Sequence, residues 1–96
     1  MTQEQLTSRL KPLLKSIGLT TFIKYYLVFK YYSNEKCIQA FDEDFTGSSK
    51  RTKTSSAKSI FKEGLNIEAL KYIRDTTKKA SALNKAHAAW LLQLEE

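Results

Sequence analysis

The run FIKYYLVFKYY, residues Phe22–Tyr32, constrains the fold more than any other part of the chain. Nine of its eleven residues are apolar or aromatic, and a helix that is apolar nearly all round is typical of an element buried on several sides. The same residues also suit a strand, but residues 37–41, the only nearby pairing partner, are short and fit a helix better. We therefore predict a central helix over Thr21–Tyr32, with an α+β fold carrying a hairpin at 21–41 as the alternative.

Helical spacing of apolar residues extends over much of the remaining chain. Thr2 and Gln5 form a capping-box pattern ahead of a helix over 3–17, and Gly18 ends it. Further helices are predicted at about 35–44, 55–63, 66–76 and 79–94, the last with an apolar stripe of Leu83, Ala86 or His87, Trp90 and Leu94. A chain of 96 residues supports one core. We predict an all-α fold, a single domain over 1–96 with five or six short helices.

The segment TGSSKRTKTSSAK, residues 46–58, has no apolar periodicity. It holds seven hydroxyl side chains, four cations and no acid, which is the composition of a solvated connection. We therefore predict a basic, Ser/Thr-rich loop over 46–54. Connections within helical bundles usually have 2–8 residues, and longer ones in compact domains are more often functional or disordered. An ordinary flexible connection remains the alternative to a functional loop.

Positive charge is concentrated in the second half of the chain. Residues 1–45 contain six cations and five anions, whereas residues 46–85 contain ten cations and three anions, a balance of +7. Such asymmetry indicates a polyanionic partner, and Ser/Thr hydroxyls, backbone N–H groups and cations are the donors that phosphates accept. On the helix after Asn66, Lys71 and Arg74 are neighbours on one face.

These observations predict a small nucleic-acid-binding protein, with DNA expected as the partner, that contacts phosphates through residues 46–58 and the helix at 66–76. Two short helices around Gly64 match only half of the helix-turn-helix pattern, because Ile60 and Glu63 stand where small and apolar residues are usual. The candidate nucleic-acid-binding residues are Ser48, Ser49, Lys50, Arg51, Lys53, Lys58, Lys71, Arg74, Lys78 and Lys79.

Catalytic, metal and cofactor sites are not predicted. The single cysteine, Cys37, and the single histidine, His87, have no acid spaced to form a nucleophile–base arrangement, so the chain is not expected to be an enzyme. The acidic triplet Asp42–Asp44 lacks the spaced ligands and glycine of a calcium loop. One cysteine and no apolar run long enough for a bilayer fit a cytoplasmic protein without a membrane partner.

An alternative function is a helical protein–protein interaction module of the immunity, inhibitor or adaptor type, binding a protein partner or a second copy of itself. Its basis is the aromatic content of residues 21–32, together with Trp90. A small core does not always enclose so many rings, and large exposed apolar patches usually mark an interface. Shielding of the tyrosines from solvent would remove this basis.

Overall fold

The computed structural model describes residues 2–76, 78 and 80–95, and these residues form helices and turns without a strand. The all-α prediction is confirmed over the α+β alternative. The described part contains seven α-helices and one π-helical segment, against the five or six helices expected. None of these helices is both long and apolar enough to cross a bilayer. The elements are α1 (Gln3–Ile17), α2 (Leu19–Lys24), α3 (Tyr26–Tyr31), α4 (Asn34–Ala40), α5 (Gly47–Lys62), α6 (Asn66–Lys71), the π segment (Tyr72–Thr76) and α7 (Ala82–Glu95).

The predicted central helix forms two short helices, α2 and α3, which meet at Tyr25. Phe22, Tyr26 and Phe29 are fully buried, and the core cluster to which they belong draws side chains from all seven α-helices. The Tyr25 hydroxyl accepts a hydrogen bond from the Asp42 backbone N–H (3.0 Å) and donates one to Glu43 (2.5 Å). This aromatic region is therefore both the centre of the core and the anchor for the segment after α4.

The prediction of a loop over 46–54 is wrong, because α5 begins at Gly47 and continues to Lys62. Thr46 caps this helix by accepting a hydrogen bond from the Ser49 backbone N–H (3.0 Å). Thr54, Ala57 and Ile60, spaced by three residues, supply its buried face. Two of these side chains are small, so α5 packs closely against the core. The sequence therefore lacks the regular spacing of large apolar residues that usually predicts a helix.

Helices α1 and α5 pack against each other in an antiparallel arrangement. At one end, Arg9 of α1 binds Glu63 just after α5 (2.9 and 2.6 Å). At the other end, the Ser56 hydroxyl donates to the Ser16 hydroxyl (3.0 Å). These contacts across the helix pair explain why a Ser/Thr-rich sequence is helical here, since tertiary contacts outweigh weak intrinsic propensity.

The apolar stripe predicted for the last helix exists, but it faces away from the core. Ala88, Leu91 and Leu92 supply the buried face of α7 instead. Leu83 and Trp90, on the predicted stripe, are exposed. Because α7 is apolar on two faces, its periodicity could not indicate which face would be buried.

Candidate nucleic-acid interface

Helix α5 carries five basic side chains and seven hydroxyls over sixteen residues, with no acidic residue. Residues at spacings of three or four lie along one side of a helix. The side opposite the buried face of α5 is exposed or half-buried and includes two cations and three serines. We refer to these residues as the outer face of α5: Ser48, Arg51, Ser55, Ser59 and Lys62.

An open cleft of about 510 Å³ lies beside the outer face, between α5 and the α3–α4 region. Three lysine side chains reach it, together with an amide, two hydroxyls and two aromatic rings, and no acidic residue of the described chain lines it. This composition suits an anion, because ammonium, hydroxyl and amide groups all donate hydrogen bonds to it. The lining residues are Phe29, Lys30, Asn34, Ser55, Lys58, Ser59, Phe61 and Lys62.

Lys58 is held by the protein itself at one wall of the cleft. Its ammonium group donates hydrogen bonds to the carbonyl oxygens of Phe29 (2.6 Å) and Tyr32. These carbonyls lie at the C-terminal end of α3, where backbone acceptors lack helical partners and a positive charge is favourable. Lys58 therefore stabilises α3 and adds positive charge to the cleft, while two of its three N–H groups are already used.

Lys53 is likewise a structural lysine rather than a free phosphate ligand. Its ammonium group donates to the Ile17 carbonyl oxygen at the end of α1 (2.9 Å) and lies 4.7 Å from the centre of the Phe45 ring. The side chain is half-buried in this position. The sequence placed Lys53 in a flexible loop, and the structure instead uses it to join α1 to α5.

None of the five cations of α5 makes an ion pair with another described residue, and the side chains of Lys50, Arg51 and Lys62 also make no hydrogen bond to one. Of the two predicted serines in this region, Ser48 is exposed and belongs to the outer face. Ser49 is half-buried, with its backbone N–H bonded to Thr46. Of the predicted residues in the first half of α5, Ser48 and Arg51 are thus exposed, whereas Lys50 is half-buried.

Acidic groups near the two ends of α5 are unequally compensated. Beyond the C-terminal end, the hydrogen bonds and charge of Arg9 lower the pKa of the Glu63 carboxyl, whose negative charge is thereby paired. Before the N-terminal end, Asp44 is exposed and makes no ion pair with another described residue. Positive potential is therefore expected to be strongest from Arg51 to Lys62.

The predicted basic face after Asn66 is largely paired with acids. Lys71 lies 3.9 Å from Glu68, and Arg74 binds Asp75 through two hydrogen bonds (2.7 and 2.6 Å), which lower the pKa of the Asp75 carboxyl. Lys78 is exposed, and Lys79 lies outside the described residues. Lys71 and Arg74 are therefore charge-compensated, unlike Arg51 and Lys62 of the outer face of α5.

Lys30, Asn34 and Lys62 line the cleft but were not among the predicted residues. Lys62 lies eleven residues after Arg51, which is helical spacing, so it would have been found if the segment had been interpreted as a helix. Lys30 binds Glu95 of α7, which compensates its charge. Lys30 and Asn34 come from a distant part of the sequence, and only the packing of α3 and α4 on α5 places them here.

Cys37 lies in the core, whereas His87 is half-buried beside Trp90. Cys37 is buried, its thiol donates to the Val28 carbonyl oxygen (3.3 Å), and burial raises the pKa of that thiol although Lys58 opposes the change. The His87 ring lies 5.8 Å from the Trp90 ring. The described residues include no group of three or more metal-ligating side chains.

The outer face of α5 and the adjoining cleft therefore combine cations, hydroxyls and an amide without an acidic residue of the described chain, and they form the candidate site. Comparison of the chain with protein-family models, with curated proteins and with solved structures found no match.

Proposed function

We propose that this protein binds nucleic acid, and specifically DNA, by contacting backbone phosphates with the outer face of α5 and the adjoining cleft. The observation that carries the proposal is the pair of cations Arg51 and Lys62, whose side chains make no ion pair or hydrogen bond with another described residue and are set among serines on a helix without a carboxylate. Phosphate contacts of this kind come from Arg, Lys and hydroxyl side chains and carry no sequence information. The proposed role is binding rather than catalysis.

The shape of the surface favours duplex DNA over single strands. The outer face extends from Ser48 to Lys62, about 21 Å along the helix axis, and the major groove of B-DNA admits an α-helix. Proteins that hold single strands usually stack bases on exposed aromatic rings. The outer face has no aromatic ring, and of the two phenylalanines that line the cleft, Phe29 is buried and Phe61 is half-buried. The deep, narrow major groove of A-form RNA would not admit this helix.

The proposed contact differs from the one expected from the sequence. A loop over 46–58 and the helix at 66–76 were expected to hold phosphates. The helical surface from Arg51 to Lys62 is the better candidate, because its cations are not paired with acidic side chains. The alternative of a protein-interaction module using residues 21–32 has less support, because Phe22, Tyr25, Tyr26 and Phe29 are buried. Tyr31 and Tyr32 remain exposed in that region.

The proposal is tested by a matched pair of double variants. Arg51→Ala with Lys62→Ala removes two free cations from the proposed site, and Lys11→Ala with Lys15→Ala removes two exposed cations from α1. We expect the first double variant to bind a labelled duplex about tenfold or more weakly at low salt, with the slope of log K against log salt reduced by about two. Fluorescence anisotropy gives both quantities.

The α1 double variant serves as the control for net charge. At about 0.1 M salt it should keep the affinity within about twofold, because a general charge effect is then screened over about 10 Å. Circular dichroism checks that both variants are folded. Equal loss of affinity in the two double variants would show that α5 has no special role, and unchanged binding in the α5 variant would reject the proposed site.

A further inference from the structure

The outward face of α7 is uncharged and largely apolar. Leu83 is 79% exposed, Trp90 50% and Leu94 51%, although the opposite side of the helix is buried in the core. No Lys, Arg, Asp or Glu lies among the residues on this side. We refer to these residues as the outward face of α7: Ala82, Leu83, Ala86, His87, Trp90, Gln93 and Leu94.

This face contrasts with the solvent-facing sides of the other long helices. The exposed side of α1 carries Lys11 and Lys15, and the outer face of α5 carries Arg51 and Lys62. A surface helix normally places charged and polar residues opposite its buried stripe, whereas a helix that is apolar all round is usually covered on both sides. The uncharged outward face of α7 is therefore a candidate contact surface.

We propose that the outward face of α7 binds the same face of a second copy of this chain, with the two helices antiparallel. The four larger side chains of the stripe, Leu83, His87, Trp90 and Leu94, are separated by four, three and four residues. This spacing is the same when counted from either end, as a two-fold interface requires. Leu83 of each copy then meets Leu94 of the other, and His87 meets Trp90.

The side chains around this stripe accommodate the packing. Ala86 is exposed and lies one helical turn from Trp90, so it leaves room for the indole ring of the facing helix. Interfaces are enriched in Trp and depleted of charge at their centres. The one tryptophan of the chain occupies such a central position.

Lys85 and Glu95, the charged residues within the described helix α7, do not oppose this arrangement locally. Lys85 is half-buried on the core side of the helix. Glu95 is compensated by Lys30 and accepts a hydrogen bond from Asn66 (2.9 Å).

The net charge of +6 on each copy still produces long-range repulsion. Added salt screens that repulsion, so the dimer should become tighter with salt, the opposite of phosphate binding.

The exposed area limits how tight such a dimer can be. The exposed parts of Leu83, Trp90 and Leu94 amount to roughly 350 Å² per copy, or about 700 Å² in total. Stable interfaces bury about 1,200–2,000 Å². The proposed dimer is therefore weak, with a monomer–dimer transition expected between about 10 μM and 1 mM.

Sedimentation equilibrium over this concentration range, at about 0.3 M salt, tests the dimer with the full chain. We expect reversible dimerisation and a concentration-dependent blue shift of Trp90 emission. Leu83→Lys with Leu94→Lys should remain monomeric throughout, while the control Leu27→Lys, on α3, should dimerise like the wild type. A monomeric wild type at 1 mM, or a Leu83/Leu94 variant that still dimerises, would overturn the proposal.

Cysteine cross-linking tests the antiparallel arrangement. An oxidised equimolar mixture of Leu83→Cys and Leu94→Cys proteins should give a disulfide-linked heterodimer, whereas neither variant alone should cross-link efficiently. Cys37 is buried and should not compete. Efficient cross-linking of either single variant with itself, without the heterodimer, would contradict the antiparallel register.

Discussion

Replacement of Phe22 by alanine is expected to lower the free energy of unfolding by about 3–5 kcal/mol, because it leaves a cavity at the centre of the core. The ring is fully buried and packs edge-on against Tyr26, with 5.5 Å between ring centres. It also contacts the Phe61 ring of α5 at 6.3 Å. For a domain of this size, the midpoint of thermal unfolding should fall by roughly 15 °C or more.

Tyr31→Ala is the matched control for this prediction, since it removes another aromatic ring from the same aromatic region. Tyr31 is 70% exposed, and its loss should change the free energy of unfolding by no more than about 0.5 kcal/mol. Urea denaturation monitored by circular dichroism measures both variants. Equal destabilisation by the two substitutions would contradict the central position of residues 21–32 in the core.

Lys58→Met is expected to lower the free energy of unfolding by about 1–3 kcal/mol, because two carbonyl oxygens lose a charged donor. Methionine preserves most of the aliphatic stem, so the lost interactions are mainly the hydrogen bonds to Phe29 and Tyr32 at the end of α3. Thermal and urea denaturation measure the change. The substitution therefore tests whether Lys58 is a structural lysine.

Lys62→Met supplies the control on the same helix. It also removes one positive charge, but Lys62 is exposed and makes no ion pair or hydrogen bond to another described residue. Its substitution should change stability by no more than about 0.5 kcal/mol. If both variants were equally stable, Lys58 would be as free as Lys62, and all of its N–H groups would be available to a phosphate.

Local signals explain which parts of the fold were predictable. The limits of α1 were predicted because the capping box is local: the Thr2 N–H donates to Gln5 (2.9 Å) and the Gln5 N–H donates to Thr2 (3.2 Å). The start of α5 was missed because its helical state depends on contacts with α1, such as that of Lys53 with Ile17. Composition favours a loop there, and tertiary packing outweighs it.

The candidate site was predicted only in part for the same reason. Ser48 and Arg51 were identified from composition and charge, and the structure keeps both accessible. The engagement of Lys53 and Lys58 with helix ends depends on α1 and α3, which lie far away in sequence. The compensation of Lys71 and Arg74, by contrast, is local, because Glu68 lies three residues before Lys71 and Asp75 directly follows Arg74, so the sequence could have indicated it.

The most direct test of phosphate binding by α5 is the salt dependence of wild-type affinity for a labelled DNA duplex of about 20 base pairs. Arg51, Lys62 and Lys58, of which two N–H groups are used within the protein, are expected to neutralise about three phosphates, which corresponds to a slope of log K against log salt of about −3. Binding with a slope near this value, flatter by about two in the Arg51→Ala, Lys62→Ala variant, is the predicted result. No binding at about 50 mM salt, or an affinity indifferent to salt, would contradict the account.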